Sequence, residues 1–124
     1  MYKFININPL GRMSAGDCVV RALSVLFGQD WDQTYTELTL LGYIQGTMPS
    51  SNEVHMSYME QHGYYMHILP LCPHCITVRE FAELYSRGRY LLCTGDHVIA
   101  LVDGTYYDTF DSGNEVVAYY YSKR

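Results

Sequence analysis

The 124-residue chain is 48% hydrophobic and has a formal net charge of −5, with 13 acidic residues against eight Lys and Arg. This length fits a single domain, residues 1–124, that can bury a core without disulfide bonds or a structural metal. The basic residues are scattered, which argues against nucleic acid as a partner, and no apolar run approaches the ~20 residues that cross a bilayer.

The beginning of the chain lacks the long apolar stretch of a signal peptide. We therefore expect a cytoplasmic protein that does not bind membranes. In a reducing compartment its four cysteines (Cys18, Cys72, Cys75 and Cys93) are expected to be thiols, unless a metal or a catalytic role intervenes. We expect no metal and no organic cofactor.

The N-terminal half of the chain shows helical patterns. Apolar residues at positions 19, 22, 23, 26 and 27 predict a helix that starts at Cys18, with Asp17 as its N-cap and Gly28 as its C-terminal stop. Three further helices are predicted: from about Trp31 to Leu41 with Asp30 as cap, from about Asn52 to His62, and after Thr77, where Thr77 and Glu80 have the spacing of a capping box.

The C-terminal half shows strand patterns at residues 89–94, 97–102, 105–110 and 115–121, and residues 64–68 are a further candidate. Asp103-Gly104 lies between two of these segments and is a strong two-residue hairpin motif. The fold class predicted from this order is α+β, with N-terminal helices packed on a C-terminal antiparallel β-sheet.

Cys18 is the candidate nucleophile. A thiol attacks carbonyl groups as the thiolate, and the free N–H groups and dipole of a helix N-terminus favour that anion. Such a cysteine also needs a base within hydrogen-bond reach. A buried core thiol is the simpler alternative, since free cysteine is among the most buried residue types.

His97 is the candidate base, because it starts a predicted strand just after Gly95-Asp96. A two-residue turn at Asp103-Gly104 sets His97 opposite Phe110 and puts Asp108 on the same face of the sheet. Asp111 then lies on the other face. The hairpin register therefore favours Asp108 as the group that orients His97, and Asp111 is the alternative if the turn is longer.

Three sequence blocks carry a resemblance to a known superfamily: Gly16-Asp17-Cys18-Val-Val-Arg-Ala-Leu-Ser, Gly95-Asp96-His97-Val-Ile-Ala-Leu-Val and Tyr107-Asp108-Thr-Phe-Asp. Together they resemble papain-like cysteine peptidases. The cysteine block is similar to that of ovarian-tumour deubiquitinases, and the other two to bacterial and phage proteins related to bacteriocin-processing peptidases. The resemblance implies a papain-like fold with Cys18 as nucleophile, His97 as base and Asp108 as orienter.

The resemblance does not identify the group that would donate a hydrogen bond to the oxyanion. Many members of the superfamily have a glutamine about six residues before the cysteine, where this chain has Arg12. Asn8, Ser14 and the backbone N–H of Cys18 are the candidate donors here, and Asn8 is the side chain that we name for this role.

Cys72 and Cys75 form a Cys-X-X-Cys pair, which can be two loop thiols, half of a zinc site or a redox dithiol. No second pair and no thioredoxin-like unit accompany it, so we interpret the pair as loop thiols. His55 and His62 lie seven positions apart rather than the four that suit a metal pair, and we expect both on the surface. Arg21 is expected to tie its helix to a carboxylate or a loop carbonyl.

The leading functional hypothesis is a small cysteine hydrolase that cleaves a peptide, isopeptide or related amide bond with Cys18, His97 and Asp108. Its partner is then a protein or peptide substrate. The alternative is a catalytically silent papain-like domain that binds a protein partner, and a zinc module at Cys72 and Cys75 is a third hypothesis.

Overall fold

The computed structural model describes residues 1–13 and 15–123. The helices are α1 (Cys18–Phe27), α2 (Trp31–Gln45), α3 (Asn52–Gln61) and α4 (Val78–Leu84). The strands are β1 (Tyr2–Phe4), β2 (Tyr65–Ile68), β3 (Arg89–Cys93), β4 (Val98–Val102), β5 (Thr105–Asp108) and β6 (Tyr119–Ser122), and they form one sheet in the order β1-β5-β4-β3-β6-β2. The α+β class predicted from the sequence is confirmed.

The sheet is antiparallel, as predicted, except at one edge, where a parallel pair makes it mixed. β1 runs parallel to β5, with Tyr2 opposite Tyr106 and Phe4 opposite Asp108. All other neighbouring strands are antiparallel. Three residues are too few to show a period-two pattern, and the partner strand lies about a hundred residues away, so no sequence pattern indicated β1.

The hairpin of β4 and β5 has the predicted two-residue turn, with Val102 opposite Thr105 and Ala100 opposite Tyr107. Asp103 and Gly104 both have positive φ angles, 48° and 80°. This is the geometry that a type I′ turn requires and that its sequence predicts. The strands are shorter than predicted: β4 begins after His97 and β5 ends at Asp108.

The helix boundaries follow the capping residues. α1 ends at Gly28 in the left-handed conformation and α4 has the predicted capping box. α2 continues past Leu41 to a stop at Gly46, because Gly42 is buried inside the helix. A Cβ atom at Gly42 would come within 2.9 Å of the Thr47 carbonyl oxygen, so this glycine permits a close approach rather than ending the helix.

The sheet buries side chains on both faces. On one face α1, α2 and α3 cover alternate residues of β3 and β4, such as Leu91 and Ala100. On the other face α4 packs its buried Phe81 against Leu92 and Ile99. Successive residues of each strand thus point to opposite faces of the sheet, as its pleat dictates.

Cys72 and Cys75 are joined by a disulfide bond, and Cys18 and Cys93 are free. The interpretation of the pair as loop thiols is therefore wrong. The loop before α4 holds the two Cα atoms 4.4 Å apart, within the range that a disulfide spans. Because each sulfur is bonded to the other, neither is available as a zinc thiolate in this state.

His55 is buried, contrary to the expectation of a surface position, and only 1% of it is exposed. It lies on the same buried face of α3 as Tyr58 and Met59, and its ring packs edge-on against Tyr121. Among the described residues neither of its ring nitrogens has a hydrogen-bond partner. Burial without a partner lowers the pKa of His55 to about 4 from its usual 6.5.

We predict that His55 limits the stability of the protein in mild acid. The unfolded chain takes up a proton near pH 6.5, whereas the folded protein resists protonation down to about pH 4. Stability is therefore fully present above about pH 6.5. As the pH falls from about 6.5 to about 4, the free energy of unfolding decreases by up to about 3 kcal/mol. Urea unfolding measures the free energy of unfolding at several pH values in this range. The decrease at low pH should be smaller in His55→Leu. It should be unchanged in His74→Gln, at an exposed loop position. An unchanged acid slope in His55→Leu would contradict the prediction.

Candidate active site

Cys18 is the first residue of α1 and is partly buried against the core. Its sulfur interacts with the imidazole of His97 and with the backbone N–H of Val98. The side chain of Asp17, at the N-cap position, makes no capping hydrogen bond to α1. The N–H groups of the first turn are therefore not occupied by a side-chain cap beside the thiol.

Asp17 instead joins the segment before Cys18 to two helices. Its carboxylate forms a buried ion pair with Arg21, and it accepts hydrogen bonds from Trp31 Nε1 at 2.9 Å and Asn8 Nδ2 at 3.1 Å. The predicted role of Arg21 is confirmed. A capping role for the Asp17 side chain is wrong, because a charged partner one turn along offers a stronger bond than a backbone N–H.

His97 and Asp108 meet as the hairpin register predicted. His97 Nε2 donates to Asp108 Oδ2 at 2.6 Å, and the ring centroid of Phe110 lies 5.1 Å from that of the imidazole. Only 4% of Asp108 is exposed. Its carboxylate also accepts from the hydroxyl of Ser112 and the backbone N–H of Thr109, both at 2.8 Å. Nδ1 is then the nitrogen of His97 left for the thiol of Cys18.

The electrostatics of the site favour a thiolate next to an imidazolium. Burial by itself raises the pKa of Cys18, but the hydrogen bond and charge of His97, the Val98 N–H and the charge of Arg21 outweigh it, so the pKa is lowered. Burial by itself lowers the pKa of His97, but hydrogen bonds and charge interactions with Asp108 and Cys18 raise it to about 10. The two groups thus stabilise each other's charged form.

Asp111, the alternative residue for orienting His97, has other partners. It accepts from the hydroxyl of Tyr106 at 2.7 Å and from the backbone N–H of Gly113, and it lies 3.6 Å from the guanidinium of Arg79. The hydrogen bonds from Tyr106 and Gly113 lower the pKa of Asp111. Asp108, and not Asp111, is therefore the aspartate that contacts His97, which agrees with the preference for Asp108.

A cavity of about 210 Å³ opens over the thiol and the imidazole. Its wall includes Cys18, His97, Ser50 and Asn52. Asn52, the first residue of α3, comes from a part of the chain that sequence analysis did not connect with the site. No local motif indicated it, because only the packing of α3 brings it to this cavity.

Asn8, the predicted oxyanion donor, lies outside this cavity. Its amide nitrogen donates to Asp17, and its Oδ1 accepts from the backbone of Leu10. These hydrogen bonds anchor the loop before α1, and the donor role of Asn8 stays a prediction. Ser14 lies outside the described residues. Cys18 and Asn52 both line the cavity, so the backbone N–H of the first and the side-chain amide of the second are candidate donors.

Within residues 1–13 and 15–123, no three His, Cys, Asp or Glu side chains are grouped so that they could hold a metal ion. In the same ranges, no helix combines the length and the apolar character needed to cross a membrane. No family model, curated protein or solved structure matches the chain.

We predict that Cys18 reacts with iodoacetamide much faster than Cys93 between about pH 6 and pH 7. The pKa of Cys18 is lowered, whereas burial raises that of Cys93 to about 12. Peptide mapping by mass spectrometry should find Cys18 modified first, with a rate at least roughly tenfold above that of a small free thiol at the same pH. His97→Ala should remove the advantage. A wild-type rate equal to that of the free thiol would contradict the activated-thiolate interpretation.

Proposed function

We propose that the protein is a small papain-like cysteine hydrolase that cleaves a peptide, isopeptide or related amide bond. The observation that carries the proposal is the chain of interactions from Cys18 at a helix N-terminus, through His97, to the buried carboxylate of Asp108. Nucleophilic catalysis at acyl groups needs these three roles in this order.

In the proposed reaction the Cys18 thiolate attacks the carbonyl carbon and forms a carbon–sulfur bond. The carbonyl oxygen takes the electron pair as an oxyanion. When this intermediate collapses, the carbon–nitrogen bond breaks and His97 gives its proton to the leaving amine. Water then attacks the thioester while His97 accepts a proton from it, which releases the acid and restores the thiolate. Asp108 holds the ring and favours its cationic form.

The oxyanion needs donors aimed at the place where charge develops. The backbone N–H of Cys18 supplies one, since it belongs to the uncapped first turn of α1. Asn52 supplies the second in our proposal, because its amide lines the same cavity as Cys18 and His97. Among the described residues, no hydrogen bond to another side chain or to the backbone commits the Asn52 amide elsewhere.

The proposed substrate is a protein or peptide, and neither nucleic acid nor a membrane is a proposed partner. The proposed location is the cytoplasm. Disulfides in that compartment are usually transient, so we expect the Cys72–Cys75 bond to form and to be reduced again there.

Asp108→Asn tests the proposed triad. It should lower the hydrolysis of fluorescein-labelled unfolded casein and the acylation by p-nitrophenyl acetate by ~10²-fold or more, because the amide no longer fixes the imidazole or its charge. Asp111→Asn makes the same chemical change at a carboxylate that contacts Tyr106 and Arg79 instead of His97, and it should keep both rates. Cys18→Ala should abolish acylation. If the wild-type protein cleaves no casein and acylates no faster than Cys18→Ala, the catalytically silent binding domain is the better interpretation.

Asn52→Ala separates the oxyanion role from the reactivity of the thiol. Acylation by p-nitrophenyl acetate passes through an oxyanion and should fall by ~10²-fold. Alkylation by iodoacetamide forms no oxyanion and should keep its rate. Glu53→Ala, at the next position of α3 and also exposed, is the matched control and should change neither rate. Equal losses in both reactions would contradict an oxyanion role for Asn52.

A further inference from the structure

The Cys72–Cys75 bond lies at the surface of the protein, in the loop between β2 and α4. Cys72 is exposed, whereas Cys75 is partly buried. Thiol–disulfide exchange requires that a thiolate from outside reaches one of the two sulfurs. Cys72 is therefore the more accessible target, and an attack on its sulfur makes Cys75 the leaving group.

The fold does not need this bond to hold the loop. Backbone hydrogen bonds from Leu69 to Ala118 and from Val117 to Ile76, each 3.0 Å long, already tie both ends of the loop to the segment before β6. The stability that a disulfide adds grows with the number of residues it encloses, and this one encloses only two. The bond can therefore open and close while the fold stays intact.

A tight turn keeps the two cysteines together when the bond opens. The backbone N–H of His74 donates to the carbonyl of Leu71 at 3.1 Å. Because this hydrogen bond involves neither sulfur, opening the disulfide does not break it, and the Cα atoms stay close to their separation of 4.4 Å. A second thiol held this near can attack a mixed disulfide without diffusing to it. The pair is thus arranged for reversible exchange.

An apolar cavity of about 510 Å³ has Cys72 in its wall. Ile68 and Leu71 also line it and are largely exposed to solvent, by 79% and 87%. Among the described residues, no charged side chain lines this cavity, and residues 63–78 include no Asp, Glu, Lys or Arg. Exposed apolar surface of this kind is typical of interaction sites. A partner that docks here brings its own side chains next to the disulfide.

We propose that Cys72–Cys75 is a thiol–disulfide exchange site for an extended, uncharged and apolar polypeptide segment that carries a cysteine. Two neighbouring features identify this partner. The disulfide reacts with a thiolate, and the uncharged wall beside it favours apolar residues on either side of that thiol. The activity goes beyond the hydrolase proposed above and uses neither Cys18 nor His97.

In the proposed exchange, the thiolate of the partner attacks the sulfur of Cys72. A bond forms between these two sulfurs, the Cys72–Cys75 bond breaks, and Cys75 leaves with the electron pair and takes up a proton from solvent. If the partner has a second thiol, its thiolate attacks the partner's sulfur in the mixed disulfide, and Cys72 leaves as a thiolate. The partner is then oxidised by two electrons and the pair is reduced by two. Oxidised glutathione restores the bond by two further exchanges and releases two molecules of glutathione.

The test uses the full chain with Cys18→Ala in its oxidised form, so that only the buried Cys93 remains as a free thiol. The protein is mixed with acetyl-Leu-Cys-Leu-amide or acetyl-Gly-Cys-Gly-amide. N-ethylmaleimide then alkylates the released Cys75, and mass spectrometry measures the mixed disulfide on Cys72. Each rate is divided by the rate of the same peptide with oxidised glutathione. The leucine peptide should react at least roughly tenfold faster than the glycine peptide. Equal normalised rates would overturn the proposal.

Leu71→Ser removes an apolar side chain from the wall of the cavity and should reduce the preference for the leucine peptide several-fold. Leu84→Ser is the matched control and should keep the preference, because this leucine is 69% exposed and lies outside the cavity. A preference that is unchanged both in Leu71→Ser and in Ile68→Ser would overturn the docking role of the cavity.

A purely structural bond is the competing interpretation, and urea unfolding distinguishes it. The reduced protein and Cys72→Ser should have nearly the same free energy of unfolding as the oxidised protein, because backbone hydrogen bonds hold the loop. Unfolding of the protein on reduction would overturn the proposal.

The exchange activity and the hydrolase can fail independently. The apolar cavity adjoins the cavity over Cys18 through Asn52 and Tyr119, so Cys72→Ser must also be tested for acylation by p-nitrophenyl acetate. It should keep the wild-type rate. If Cys72→Ser loses acylation as fully as Cys18→Ala, the pair belongs to the hydrolase site and a separate exchange activity is overturned. Slow alkylation of Cys18 would overturn the hydrolase alone, since the exchange is measured without that thiol.

Discussion

The register of the β4–β5 hairpin is the constraint on which the candidate site depends. Asp103 and Gly104 fix a two-residue turn, and every pair of opposed residues along the two strands follows from it. A shift of one residue would exchange the faces of β5, bury the outward-facing side chains and turn Asp108 away from His97. The turn therefore determines both the packing of the sheet and the partner of the imidazole. β1 adds a second restraint, since Ile5 donates its backbone N–H to the Asp108 carbonyl and keeps the end of β5 inside the sheet.

The nucleophile depends on a different constraint, the buried carboxylate of Asp17. It connects the incoming loop through Asn8, α1 through Arg21 and α2 through Trp31. Removing one partner from a buried ion pair leaves an uncompensated charge, which typically costs ~3–5 kcal/mol. This cost strongly disfavours any other position of the loop before Cys18. It also explains why the helix start lacks a side-chain cap: the carboxylate that could cap it is already bonded elsewhere.

Local motifs in the sequence were sufficient to predict the hairpin, the capping box and the α+β class, because each depends on residues that are close in the sequence. The pairing of His97 with Asp108 followed from the same turn. Features that depend on distant contacts were missed: β1, the approach of Asn52 to the site and the burial of His55. Gly42 is a similar case. From the sequence alone, a glycine that ends a helix cannot be distinguished from one that lets the loop after α2 pack closely against the helix. The Cys72–Cys75 bond depends on the conformation of a loop whose course the sequence does not specify.

The thiol and the imidazole come from different layers of the fold, Cys18 from the helices and His97 from the sheet. What holds them together is the packing of α1 on β4, where Val20 and Leu23 belong to the same apolar cluster as Val98 and Ala100. Desolvation in this interface opposes both charged forms, so neither the thiolate nor the imidazolium would be stable there alone. Each is stabilised because the other is present and because Asp108 lies behind the ring. The same apolar packing thus supplies the proximity of the two groups and the low dielectric that makes their mutual attraction strong.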